Sequence, residues 1–431
     1  MFIYEILAKD CTIDSSQKLI DGVKCVGDSG VLTLQPGTYP IKNWANLGSW
    51  NAPHTGTIKI KGADNGKVIV NGGFKIEGWV QDETYPDLLK TTVPQSIQAS
   101  GDKDDKATDW RFKSLWVNDH ETVRARIPST WTLPTIKSFS TSSCDNSRIC
   151  KHTVKVPAET MRFLDGLPKE DYQDINIVIF HYWSTTRAYI DSYSAKDNTI
   201  TYKAHSYNGD NNKAPEPGKS TFYLDNFKRA LTKPGEWFLT RDGTLYYYPL
   251  PGETASNIEA YASDRKRLMY VESQNIIFEN IEFRYCGGDM PTTGMTREDN
   301  LHRDSGMKVI DVNQATNIQF INCQVRHCFF RGISIWASKN CLVSGCLIED
   351  FGAVGIAFGN NQNSKIYNNI LRHGGRFLHY ENAIYDNFHP GGVISHNDIS
   401  DMFWDGINVF GDNNAQTSDM VIEKNHVHHI G

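Results

Sequence analysis

From about residue 275 onward, apolar residues recur in short alternating runs, and the runs themselves recur. Six segments share an apolar–x–x–small/Asn–x–apolar core: FENIEF from Phe278, FINCQV from Phe320, VSGCLI from Val343, IYNNIL from Ile366, ISHNDI from Ile394 and IEKNHV from Ile422. Their starts are separated by 42, 23, 23, 28 and 28 residues (320−278, 343−320, 366−343, 394−366, 422−394). In three repeats a second apolar run opens seven residues on: Gly332-Ile333-Ser334-Ile335 after Val325, Gly355-Ile356-Ala357-Phe358 after Ile348, and Gly406-Ile407-Asn408-Val409 after Ile399. Alternation at this short range predicts strands with one face inward.

A repeat of this length cannot bury a core by itself, but coils stacked about 4.8 Å apart can. Equivalent residues then pile on one another. The fourth core position reads Ile281, Cys323, Cys346, Asn369, Asn397, Asn425. This predicts a buried stack that ends in an Asn ladder, whose amides satisfy one another down the column. The expected fold is all-β: a right-handed parallel β-helix over 263–431. A leucine-rich repeat has a similar period but needs regularly placed Leu, which is absent.

Two coils are longer, through residues 287–305 and through RFLHYE at 376–381. Both insertions fall between the same two strands, so they are expected to project from one rim, the usual binding face of a solenoid. Within residues 1–100, an N-terminal cap and the first coils are expected, because 29–80 repeats the strand–turn pattern. Residues 95–110 read as a polar loop or linker. Residues 101–262 are β-rich without the period and read as an inserted antiparallel module, in which KPGEWFLTRDGTLYYYPLPG forms a hairpin turning at Asp242-Gly243.

Composition narrows the function classes. The hydrophobic fraction is 39% and the charged fraction 22%, ordinary for a globular chain. A net charge of -6 gives little attraction to phosphates, which points away from nucleic acid and toward a weakly charged partner. No apolar run approaches the roughly 20 residues of a membrane span. The opening MFIYEILAKD lacks a basic start and a long apolar core, so no signal peptide is visible. Among nine cysteines, Cys144 with Cys150 and Cys11 with Cys25 are candidate disulfide pairs. No Cys/His spacing suits zinc and no loop suits an EF-hand, so neither a metal nor a cofactor is expected. His428 and His429 point to opposite faces if extended, so the HVHH run reads as solvated turn histidines.

In order, LQPGTY, NGGFKIEGW, SLWVNDHETVRARIP, KPGEWFLTRDGTLYYYP and the Asn-rich coils resemble carbohydrate-active parallel β-helix proteins. The chain is most similar to glycoside hydrolase family 141 and its relatives, over nearly its whole length. The resemblance implies hydrolysis of a plant or microbial polysaccharide or oligosaccharide outside the cell. It also implies that the proposed catalytic acids of that group lie in further coils, in stretches like SDxGxIY and LDxG. This chain ends at HVHHIG, where such coils would begin, in a coil with no polar cap, so it is expected to be a fragment.

Glycoside hydrolysis needs two carboxylates, about 5–5.5 Å apart for retention or 6.5–9.5 Å for inversion, and adjacent coils supply such spacings. The position just before the second strand reads Ser305, Arg331, Val354, Glu381, Asp405. Glu381 and Asp405 are the candidate catalytic pair; alternatively, both are rim acids at loop ends. Asp304 and Asp350 are candidate sugar-hydroxyl ligands or turn caps. Among the rings Trp336, Phe377, Tyr380, Tyr385 and Trp404, the candidate sugar platforms are Tyr380 and Trp404. Arg331 is a candidate substrate-binding cation. In a polysaccharide lyase of the same fold, Arg331, Arg303, Arg376 or Lys308 would neutralise a uronate. A non-catalytic carbohydrate-binding surface protein is the third reading.

Overall fold

The computed structural model describes residues 8–94, 111–207, 213–263, 265–288, 290, 294, 307–411 and 419–431. The chain divides into two compact units. One comprises Met1–Phe74, Ser263–Gly288 and Gly306–Gly431; the other comprises Lys75–Ala262 and Asp289–Ser305. The expected polar segment 95–110 lies outside the described residues, as does most of the 287–305 insertion, including Asp304.

The first unit is a parallel β-helix. Its three sheets have nine, eight and seven strands. One coil runs through Thr316–Ile321 in the first sheet, Gln324–Cys328 in the second and Arg331–Trp336 in the third; the next returns to the first sheet at Leu342–Ser344. The N-terminal segment supplies the opening coils. Ile58–Gly62 pairs in parallel with Gln274–Glu279, bringing Ile60 beside Phe278. The chain therefore leaves the solenoid after residue 74 and resumes it at 263, in register. Helix Leu19–Val26 packs its buried Leu19, Val23 and Val26 against the opening coils, and the Cys11–Cys25 disulfide ties it to the first strand.

The repeat places like beside like. Phe278, Phe320, Val343, Ile366, Ile394 and Ile422 form one continuous column. The rings of Phe278 and Phe320 lie stacked at 4.9 Å. Each fully buried member contributes roughly 1.5–3 kcal/mol. The column of small residues is also formed. Asn369 Nδ2 donates to Asn397 Oδ1 at 3.0 Å, and Asn397 Nδ2 donates to Asn425 Oδ1 at 2.9 Å. The Cys346 backbone N–H donates to Asn369 Oδ1 at 2.9 Å, which joins the thiol half of the stack to the amide half.

The corners explain the asparagine content. Asn275, Asn317, Asn340, Asn363, Gly391 and Asp419 all have positive φ, as do Asn280, Asn322, Gly345, Asn368, His396 and Lys424. Each set follows the repeat spacings, so the six coils from residue 275 onward turn at the same left-handed residues. Asn and Gly occupy that conformation at least cost. A third such set, Tyr285, His327, Asp350, His373, Asp401 and His429, bends the second-sheet strands near their ends.

The second unit holds the antiparallel strands. Its largest sheet is seven-stranded and runs in the order Arg126–Ile127, Thr221–Asp225, Asn176–His181, Ser184–Ser194, Thr199–His205, Ile149–Lys155, Ser138–Cys144. A core of Ile177, Ile179, Ile190, Ile200, Phe222 and Leu224 backs it. The hairpin expected at Asp242-Gly243 is present, joining Glu236–Leu239 to Thr244–Tyr247 with Gly243 at φ 90°. Cys144–Cys150 is the second disulfide.

Candidate functional site

The third sheet carries the candidate chemistry on its outward face. Inward positions are apolar: Ile310, Ile333, Ile356, Ile384 and Ile407 form one column. The outward column beside it reads Tyr270, Asp311, Ser334, Ala357, Tyr385, Asn408. At the strand starts, Arg267, Lys308 and Arg331 are direct neighbours. Continuing the same register places Val354, Asn382 and Asp405 next in that row.

This corrects the expected row at two places. Gly306 mimics the glycine that precedes the strand in other coils, but Val309 holds that position, so Lys308 replaces Ser305 in the row. In the fourth coil Ala383 replaces the glycine, so Asn382, not Glu381, stands beside Asp405. Asn382 Nδ2 donates to Asp405 Oδ2 at 3.2 Å, which confirms the pairing through side chains. Glu381 is offset by one residue and lies level with Trp404.

Glu381 is held in a packed loop. Phe377 and Leu378 both donate backbone N–H groups to the Gly352 carbonyl at 2.8 Å, and Phe377 meets the Phe329 ring at 4.3 Å. Glu381 is only 1% exposed. It lies within electrostatic range of Arg331, which is equally buried and also feels Asp311 and Tyr385. Burial pulls the Arg331 guanidinium below its ordinary pKa, and the Glu381 and Asp311 carboxylates oppose that shift. The alternative reading of Glu381 as an exposed rim acid therefore fails. Arg331 is likewise enclosed.

Asp405 is half-buried, with Asn408 Nδ2 3.5 Å from the same Oδ2 that Asn382 bonds. The Tyr380 and Trp404 rings meet edge to face at 4.4 Å, both partly exposed. Backbone bonds from Ala383 N–H to the Asp405 carbonyl (3.0 Å) and from Ile384 N–H to the Gly406 carbonyl (2.9 Å) join the two coils here. The structure thus brings Tyr380 and Trp404 together as a ring pair and Asn382 and Asp405 together as a hydrogen-bonded pair, while Glu381 is buried within electrostatic range of Arg331.

It also adds residues to which the repeat gave no weight. Asp311 lies between two cations, 3.1 Å from Lys308 Nζ and 3.2 Å from Arg267 Nη2. The available signal was an Asp in the middle of the apolar strand KVIDVN. Burial lowers the Lys308 pKa; Asp311 opposes the shift, while Arg331 and Arg267 reinforce it. Trp336 faces outward, its ring covering the position where a side chain at Gly359 would sit. Asp350 belongs instead to the second sheet, where its Oδ2 lies 2.6 Å from His327 Nδ1 in a buried pair. No helix of the described residues is long and apolar enough to cross a membrane.

Comparison with known proteins agrees with this architecture. Residues 308–431 match the family described as right handed beta helix region, and residues 101–250 match the GH141 insertion domain. No curated protein matches in sequence. A solved structure titled "Glycoside hydrolase" superposes with a TM-score of 0.73 at 20% identity, covering 94% of this chain and 80% of the other. The complex of XylC with xylose gives a TM-score of 0.45 at 12% identity, over 97% of this chain and 62% of that one. The tailspike protein gp49 from Pseudomonas phage LKA1 gives 0.24 at 10% identity, over 91% and 51% of the two chains. The chain is thus a right-handed parallel β-helix protein similar to those of glycoside hydrolase family 141.

Proposed function

We propose that this chain is a glycoside hydrolase acting on a plant or microbial polysaccharide or oligosaccharide, with Glu381 and Asp405 as its carboxylate pair. The observation that carries this reading is the contact of two partly exposed rings, Tyr380 and Trp404, each followed in sequence by an acid, on adjacent coils. Adjacent coils separate backbones by about 4.8 Å, within reach of the spacings that glycosidic cleavage uses. Tyr380 and Trp404 offer apolar faces to sugar C–H groups. Arg331 supplies positive charge near Glu381, while Asn382 and Asn408 hold Asp405. The match to the GH141 insertion domain supports a carbohydrate substrate. Two disulfides support action outside the reducing cytosol.

The test is release of reducing ends from a panel of polysaccharides and oligosaccharides. Glu381→Gln and Asp405→Asn should each lower kcat/KM by about 10²–10⁴-fold. Unchanged activity in either variant removes that residue from the pair. One observation favours a second reading, a polysaccharide lyase: the row Arg267, Lys308, Arg331 gathers basic side chains, and burial lowers the Lys308 pKa, the direction that favours an uncharged amine able to accept a proton. An unsaturated, ultraviolet-absorbing product that disappears in Lys308→Ala would establish it instead.

A further inference from the structure

We propose that Asp398, His426 and His428 form a binding site for a first-row divalent transition-metal ion, with Zn²⁺ as the probe of choice, on the outward face of the second sheet. Asp398 and His426 are direct partners on adjacent strands, and Ser400 is the partner of His428. Residues 398, 426 and 428 therefore share one face, while Ile399, between them in register, is fully buried on the other. His426 Nδ1 and His428 Nε2 each lie 3.1 Å from Asp398 Oδ1. One donor atom from each of the three lies within 4.8 Å of the others.

These spacings suit an ion. Ligands bound at about 2.0–2.2 Å sit roughly 3.0–3.5 Å apart around a tetrahedral or octahedral metal. Two imidazoles with one carboxylate are borderline donors, favouring zinc, cobalt or nickel over calcium or magnesium. The face is open, with side-chain exposures of 53%, 73% and 33% for Asp398, His426 and His428, so water can complete the coordination. The cation one coil away in the Ser400 row, Arg372, is held by Glu349 at 2.7 Å.

His429 completes the arrangement. In an extended strand it would face away from His428, but its φ of 52° belongs to the left-handed column that bends six of the eight second-sheet strands. The bend brings His429 Nδ1 to 2.6 Å from His428 Nδ1. A proton on His428 Nδ1, donated to His429, leaves His428 Nε2 free to bind metal. Metal-bound histidines are commonly oriented by such an outer hydrogen bond. The HVHH run then comprises two ligands and one positioning residue.

Isothermal titration of the tag-free chain with Zn²⁺, checked by the absorption of bound Co²⁺, tests the site. One equivalent should bind. Asp398→Ala, His426→Ala and His428→Ala should each weaken it at least tenfold, and His429→Ala should weaken it by about tenfold through lost orientation. His396→Ala, a histidine of another column, should change nothing. All of these side chains are exposed or half-buried, and circular dichroism verifies that each variant is folded. No binding at millimolar Zn²⁺, or one-equivalent binding that survives the His426→Ala/His428→Ala double substitution, would overturn the proposal.

Discussion

Replacing Asn397 by alanine cuts the amide ladder at its middle. The Asn397 side chain takes part in four hydrogen bonds. Oδ1 accepts from the Asn369 backbone N–H and from Asn369 Nδ2, both at 3.0 Å, while Nδ2 donates to the Ile366 carbonyl at 3.1 Å and to Asn425 Oδ1 at 2.9 Å. Asn397 is 1% exposed, so water does not replace it. A buried hydrogen bond contributes about 0.5–1.5 kcal/mol net, and each backbone group left without a partner costs about 1–3 kcal/mol. One backbone group outside the strand ladders is orphaned, the Asn369 N–H. Together these terms place the loss at about 4 kcal/mol, a large share of the stability of a typical domain. Asn425, half-buried in the last coil, should cost less, about 1–2 kcal/mol. Urea unfolding followed by circular dichroism gives both values, and the double variant gives their coupling. An Asn397→Ala loss below about 1 kcal/mol, or a loss no greater than that of Asn425→Ala, would refute the ladder as a structural element.

Other predictions concern separate parts of the chain. His181 is buried against Thr186 and Ser184, and burial brings its pKa down to about 4. The unfolded chain, with the ordinary value near 6.5, then binds the extra proton first, so stability falls as pH drops from about 6.5 to 4 and the loss is complete below that. The loss reaches about 3 kcal/mol, and thermal melts of His181→Gln should show a shallower acid limb. A methyl added by Gly359→Ala would lie 2.2 Å from the Trp336 ring, so about 1–3 kcal/mol should be lost, and Trp336→Ala in the same chain should restore most of it. Opening the Cys11–Cys25 loop by Cys25→Ser should cost about 3 kcal/mol in denaturant unfolding, through regained chain entropy in the unfolded state.

The solenoid was legible because its signal is periodic. Apolar alternation set the strands, and the register followed from piling Cys323 on Cys346 and Asn369 on Asn397. Both disulfide pairs and the Asp242-Gly243 hairpin were also readable, since each depends on local sequence. The corner columns were visible but unread: Asn275, Asn317, Asn340 and Asn363 keep the period as strictly as the core does. The site was legible only in part. Tyr380 and Trp404 do meet, but the row was misplaced where a small residue other than glycine fills the position before the strand, as at Ala383. Asp311 went unweighted because an acid inside an apolar strand carries no motif. The shared face of His426 and His428 follows from their spacing along the strand, whereas the contact of His428 with His429 depends on a left-handed bend that no spacing reveals.

Hydrogen exchange in the presence of a bound oligosaccharide tests the proposed catalytic face most directly. The Glu381→Gln variant, incubated with the best substrate from the polysaccharide panel, should gain protection in the segments 376–387 and 404–410. Protection confined to the second sheet or to the antiparallel unit, with these segments unchanged, would contradict the placement of carbohydrate chemistry on the third sheet.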